Sequence, residues 1–136
     1  MTDSALSLLG LALRGNHLAV GEEPVAEACK GRRAWLVLSA ADAARNSVDR
    51  AGRMAEKGGV PCIRLPWNKE TLGGALGRST CAVAALTDRG LTAALVKKLL
   101  QADQGPRTIL EPFLESISND KKKSRAETKK PAVPET

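Results

Sequence analysis

The sequence predicts an α/β fold, a three-layer α/β/α sandwich around a four-stranded mixed sheet. Three observations predict it. Apolar runs of strand length alternate with amphipathic stretches of helix length, glycine or proline marks most junctions, and Ala34-Trp35-Leu36-Val37-Leu38 is apolar throughout. A strand without polar alternation is covered on both faces, which places helices above and below the sheet. Successive strand–helix units close into such a sandwich through right-handed crossovers.

Each element follows from local chemistry. Asp3 and Ser4 precede Ala5, Leu8, Leu9 and Ala12 at helical spacing, so the chain opens with a capped helix that Gly15 and Asn16 end. Leu18-Ala19-Val20 reads as a short strand broken by Gly21. Glu22 to Lys30 reads as a helix, with Val25, Ala28 and Cys29 inward, Glu22 and Glu23 at the positive end of its dipole, and Pro24 in the first turn. The apolar run 34–38 is the next strand. Asp42 to Lys57 carries Ala44, Val48, Ala51 and Ala55 on one face and Arg45, Asp49 and Arg53 at pairing distance on another, the pattern of a helix with one wet side. Val60 to Leu65 is a strand, Asn68 caps a short helix ending at Gly77, and Cys81 to Leu86 is the fourth strand. Thr87 and Asp88 cap a last domain helix through Leu99, stopped by Gly105 and Pro106.

Length allows one core: of 136 residues, 1–105 form the domain and 106–136 an extension, with a helix over 108–118 and a disordered basic tail beyond it. No stretch approaches the ~20 apolar residues of a membrane span, and the acidic start MTDSALSLLG is unlike a secretory leader, so a cytoplasmic protein is expected. Cys29, Cys62 and Cys81 are odd in number and widely spaced among apolar neighbours, which indicates reduced, buried thiols rather than a disulfide framework. With 21 Lys and Arg against 15 Asp and Glu, the net charge of +6 favours polyanions.

Little in the sequence points to catalysis. The single histidine, His17, has no cysteine or carboxylate at ligand spacing, and the carboxylates are scattered. Gly73-Gly74-Ala75-Leu76-Gly77-Arg78-Ser79-Thr80 resembles a phosphate loop in part, but it leads from helix into strand and reads better as a helix end with close packing. No enzyme activity, cofactor or metal is expected. Two tryptophans, one phenylalanine and no tyrosine argue against reading single-stranded RNA by base stacking. A folded RNA, met by backbone groups at a helix start and by cations around it, fits the composition better.

Leu8-Leu9-Gly10-Leu11-Ala12-Leu13-Arg14, Val20-Gly21-Glu22-Glu23, Asn68-Lys69-Glu70-Thr71-Leu72-Gly73 with Leu76-Gly77, and Leu86-Thr87-Asp88-Arg89-Gly90 keep their order and spacing over roughly residues 4–100. Together they resemble the kink-turn-binding ribosomal L-seven-Ae family, which includes L-thirty-e, and within it the small bacterial YlxQ-type branch. The resemblance implies an α/β/α sandwich and non-catalytic binding of structured RNA, kink-turn-like or ribosomal, by a ribosome-associated monomer. It also implies contact at the start of the second helix, Gly21–Glu27, and at the loop before the last, Leu86–Gly90. The expected RNA-binding residues are Gly21, Glu22, Glu23, Lys30, Arg32, Arg33, Thr87, Asp88 and Arg89. The chain departs from the family where Thr-Asn-Glu usually follows the glycine and a lysine one turn later, having Glu22, Glu23, Pro24 and Glu27 there. Asn16 and His17 stand where the branch usually has glycine and lysine. The acids oppose phosphate binding, though Glu23 can accept a hydrogen bond from a base amino group. They also fit a second reading, a protein-interaction module on the same scaffold that has lost RNA binding.

Overall fold

In a computed structural model that describes residues 4–119, the expected alternation is present. The elements are α1 (Ser4–Arg14), β1 (Leu18–Val20), α2 (Glu22–Lys30), β2 (Leu36–Ser39), α3 (Arg45–Gly58), β3 (Cys62–Arg64), α4 (Lys69–Ala75), β4 (Val83–Leu86), α5 (Arg89–Gln101) and α6 (Arg107–Asn119). The basic tail expected after them lies outside the described residues.

The four strands form one mixed sheet in the order β1-β4-β2-β3. β4 runs antiparallel to both β1 and β2, and β2 runs parallel to β3. Alternation of side chains about the strands then splits the interior into two layers. Leu36, Leu38, Ala84 and Leu86 join α1, α4, α5 and Leu110 of α6 in a leucine-rich core on one face. Val37, Val83 and Ala85 join Val25, Ala28, Cys29, Ala51 and Ala55 of α2 and α3 in a core of small residues on the other. This is the three-layer sandwich that the unbroken apolar run at β2 predicted.

Local chemistry explains where the elements begin and end. Asn68 caps α4 by accepting from the Thr71 N–H at 2.8 Å, and Asp88 caps α5 by accepting from the Leu91 N–H at 2.9 Å. Asn16 ends α1 with a left-handed φ of 64°. Gly73 is a close-packing position as expected, since a Cβ there would lie 2.6 Å from the Thr80 Cα. Two readings of the third helix need correction. It starts at Arg45 rather than Asp42, because the Asp42 carboxylate accepts from the Lys69 N–H at 2.7 Å and caps a different helix. Arg45, Asp49 and Arg53 form no ion pair with one another among the described residues; Arg50 instead reaches across to Glu22.

α2 and α3 lie side by side and run in the same direction. The Glu22 carboxylate meets Ser47 and Arg50 at their starts, and Gly58 lies on Cys29 at their ends. α6 packs on α5, in the opposite layer, with Leu110 and Ile117 buried, so the start of α2 stays uncovered by it.

Candidate nucleic-acid interface

The chain leaves β1 through Gly21, whose φ of 99° and ψ of 161° belong to a region that side-chain-bearing residues avoid. That conformation turns the backbone straight into α2. Gly21 donates its own N–H to the Val83 carbonyl at 3.0 Å, which ties the turn to the start of β4. No side chain caps the helix. The Glu22 and Glu23 N–H groups are therefore unclaimed donors at the positive end of the helix dipole, while Pro24 has no N–H to offer.

The charges around this start are not equivalent. Glu22 turns toward α3, where the Arg50 guanidinium grips it with two hydrogen bonds of 2.7 and 2.8 Å and the Ser47 hydroxyl donates at 3.1 Å. The hydrogen bonds from Arg50 hold the Glu22 carboxyl below its ordinary range, against an opposing effect of burial, with Ser47 adding to the lowering. Glu22 thus presents a neutralised, occupied carboxylate. Glu23 and Glu27 are exposed and lie on the other side of α2, lining with Lys30 and Arg33 a shallow outer groove. A cleft of about 390 Å³ follows the free edge of β1, with Pro24, Glu27 and Arg33 on one side and Asn16 and Arg78 on the other.

At the far end of α2, the turn Gly31-Arg32-Arg33 closes the helix. The Arg32 N–H reaches the Cys29 carbonyl at 3.1 Å and the Arg33 N–H the Ala28 carbonyl at 2.9 Å. This is a Schellman closure with Arg32, φ 59°, in the left-handed position that glycine usually fills. Lys30, Arg32, Arg33, Arg78 and Arg89 take part in no ion pair among the described residues.

The structure brings part of the expected site together and separates the rest. Gly21, Glu22, Glu23, Lys30, Arg32 and Arg33 share one helix and its ends. Thr87, Asp88 and Arg89 follow the end of β4 away from Gly21, although Thr87 lines the same cleft as Pro24, Glu27, Arg33 and Arg78. β4 is antiparallel to β1, so Thr87 pairs with His17, its N–H donating to the His17 carbonyl at 2.9 Å, at the opposite end of β1 from Gly21. Four residues of strand place them about 13 Å apart. Asp88 spends its carboxylate on the α5 cap, and Arg89 is half-buried. The segment leading into Val83, the hydrogen-bond partner of Gly21, contains Arg78, which lines the same cleft. Sequence reasoning set that stretch aside as a helix end, although a cation among glycine, serine and threonine was a usable signal. Arg50 had no signal at all, because nothing in the sequence joins residue 50 to residue 22.

Comparison with known proteins agrees with this architecture. The family model described as the ribosomal protein L7Ae/L30e/S12e/Gadd45 family matches residues 3–95. The RNA-binding protein YlxQ of Bacillus subtilis (strain 168) is 32% identical over 92 residues, which span 68% of this chain and 91% of that protein. A protein of unknown function from Bacillus halodurans superposes with a TM-score of 0.66 at 28% identity, covering 72% of this chain and 98% of the other. The Giardia lamblia 15.5kD RNA binding protein shares the fold, with a TM-score of 0.56 at 19% identity over 76% of this chain and 91% of that one. With a family model spanning more than half its length and the fold to match, the chain belongs to the ribosomal protein L7Ae/L30e/S12e/Gadd45 family.

Proposed function

We propose that this chain is a non-catalytic RNA-binding protein that grips a structured RNA, kink-turn-like or ribosomal, at the start of α2. The carrying observation is the uncapped helix start behind Gly21, with the Glu22 charge absorbed by Arg50, and Arg33 and Arg78, in no ion pair among the described residues, lining the cleft that Pro24 also lines. Open N–H groups donate to phosphate or base-edge oxygens, and the arginines add the salt-dependent attraction. The name of the Bacillus subtilis relative supports the same reading. Burial pushes the Cys62 and Cys81 thiols up, which suits packing rather than nucleophilic chemistry. No described helix is long and apolar enough to cross a membrane. In this reading the protein acts as a cytoplasmic monomer associated with ribosomes.

Titration of a kink-turn RNA and a plain RNA duplex of equal length, at several salt concentrations, tests the proposal. Tighter binding of the kink-turn throughout is expected; equal affinities would refute recognition of that motif. Glu23 and Glu27, exposed and in no ion pair among the described residues, favour a second reading, a surface for a basic protein partner. Glu27→Lys separates the two. It strengthens RNA binding if α2 faces RNA, whereas unchanged or absent RNA affinity favours the protein partner.

A further inference from the structure

Around the paired helices α2 and α3, cations gather at one end of the seam. On α2, Glu22, Ala26, Cys29 and Lys30 recur at helical spacing toward α3; on α3, Ser47, Arg50, Met54 and Lys57 recur toward α2. Glu22 and Arg50 cancel at the top of this seam. At its lower end Ala26, Cys29 and Met54 floor a groove of about 510 Å³ rimmed by Lys30, Arg32 and Lys57. None of these three cations is in an ion pair among the described residues. Glu23 and Glu27, in no ion pair among the described residues, line the neighbouring groove of α2, which shares Ala26 and Lys30 with this one. Arg32 occupies a left-handed position where glycine would close the helix without strain. In that conformation Arg32 lines the groove.

We propose that the α2–α3 seam is a phosphate track, along which RNA gripped at the start of α2 continues to the cluster of Lys30, Arg32 and Lys57. The inference rests on the RNA-binding reading above and adds to it a second contact surface. Long cationic side chains lie with their stems over the apolar floor and their heads at the rim, where a phosphate backbone meets them. The nine residues of α2 separate the two contacts by about 13 Å. Such contacts position RNA without reading its sequence, so they serve a kink-turn and a plain duplex alike.

The competing account is that these cations compensate the negative ends of two helix dipoles. The full chain, Arg32→Asn, Lys57→Gln and, as a control in the opposite layer, Lys97→Gln should be titrated with a kink-turn RNA and a plain RNA duplex over a salt series. Asparagine tolerates the left-handed conformation, so the fold survives that change. Each seam variant should weaken binding of both RNAs about two- to fivefold. Each should also flatten the log-affinity against log-salt slope by about 0.7–0.9. The control should do neither. Seam variants that bind both RNAs like the unchanged chain, with the same slope, overturn the phosphate track and leave the α2-start reading standing. An unchanged chain that binds neither RNA overturns both.

Discussion

Three residues show how single side chains set the character of the helix start. Gly21 holds a backbone conformation essentially reserved for glycine, and the space around it is open, with the nearest atom to an added Cβ being Pro24 Cδ at 3.7 Å. Gly21→Ala should therefore destabilise through backbone strain rather than a clash, by about 1–3 kcal/mol, read from the urea midpoint. Arg32 carries the opposite imbalance. Arg32→Gly should fold at least as well as the unchanged chain, with relief of about 1 kcal/mol partly offset by the greater freedom of glycine in the unfolded state. Glu22 and Arg50 are 36% and 45% exposed, so water screens their attraction and its contribution is small. Its sign with pH is nonetheless fixed. The folded-state carboxyl titrates below its ordinary 4.5, so the contribution is present above that value and lost as pH falls through the lowered one. Arg50→Gln should thus be slightly less stable than the unchanged chain at pH 7, and the gap should close on acidification below 4.5 in parallel urea titrations.

Helices are placed by groups distant in the chain as well as by their own flanks. Asp42 caps α4 from a loop 27 residues earlier, whereas Asp88 caps α5 from the adjoining position. Removing the local cap gives a clean measure of its worth. Asp88→Ala should lose about 1 kcal/mol, and Asp88→Asn, which keeps the accepting oxygen, only a few tenths. α6 belongs energetically to the domain although it follows Gly105 and Pro106. Leu110 is fully buried in the same core as Leu95 and Leu99. Leu110→Ala should cost about 2–5 kcal/mol, measurable by chemical denaturation. The small residues between the sheet and the α2–α3 layer, Ala28, Cys29, Ala51, Ala55 and Gly58, let the two helices lie close enough for Glu22 to reach Arg50.

At the scale of the molecule, function depends on how charge is distributed more than on its total. A net +6 attracts any polyanion. The arrangement around α2 and α3 gathers Lys30, Arg32 and Lys57 at one end of the seam, and binding should follow the number of phosphates that the seam and the helix start neutralise. With about four such contacts, affinity should fall about a hundredfold between roughly 50 and 200 mM salt. A fluorescence titration across that range checks it, and a much flatter response would mean that few cations touch phosphate.

Periodicity and punctuation alone determined the order of elements, the covered central strand and the glycine that opens α2, because each depends on neighbours within a few residues. The family was legible for the same reason, its motifs being short and in register. Whether β4 runs with or against β1 depends on pairing across the sheet, and that direction put Thr87 opposite His17 and Val83 opposite Gly21. The fate of the acids was likewise a tertiary matter. Spacing gives Glu22, Glu23 and Glu27 equal standing, but α3, placed by the core of small residues, brings Arg50 to the first and leaves the other two in water. Contacts between residues 22 and 50 arise from packing of two layers onto one sheet, and no local pattern encodes them.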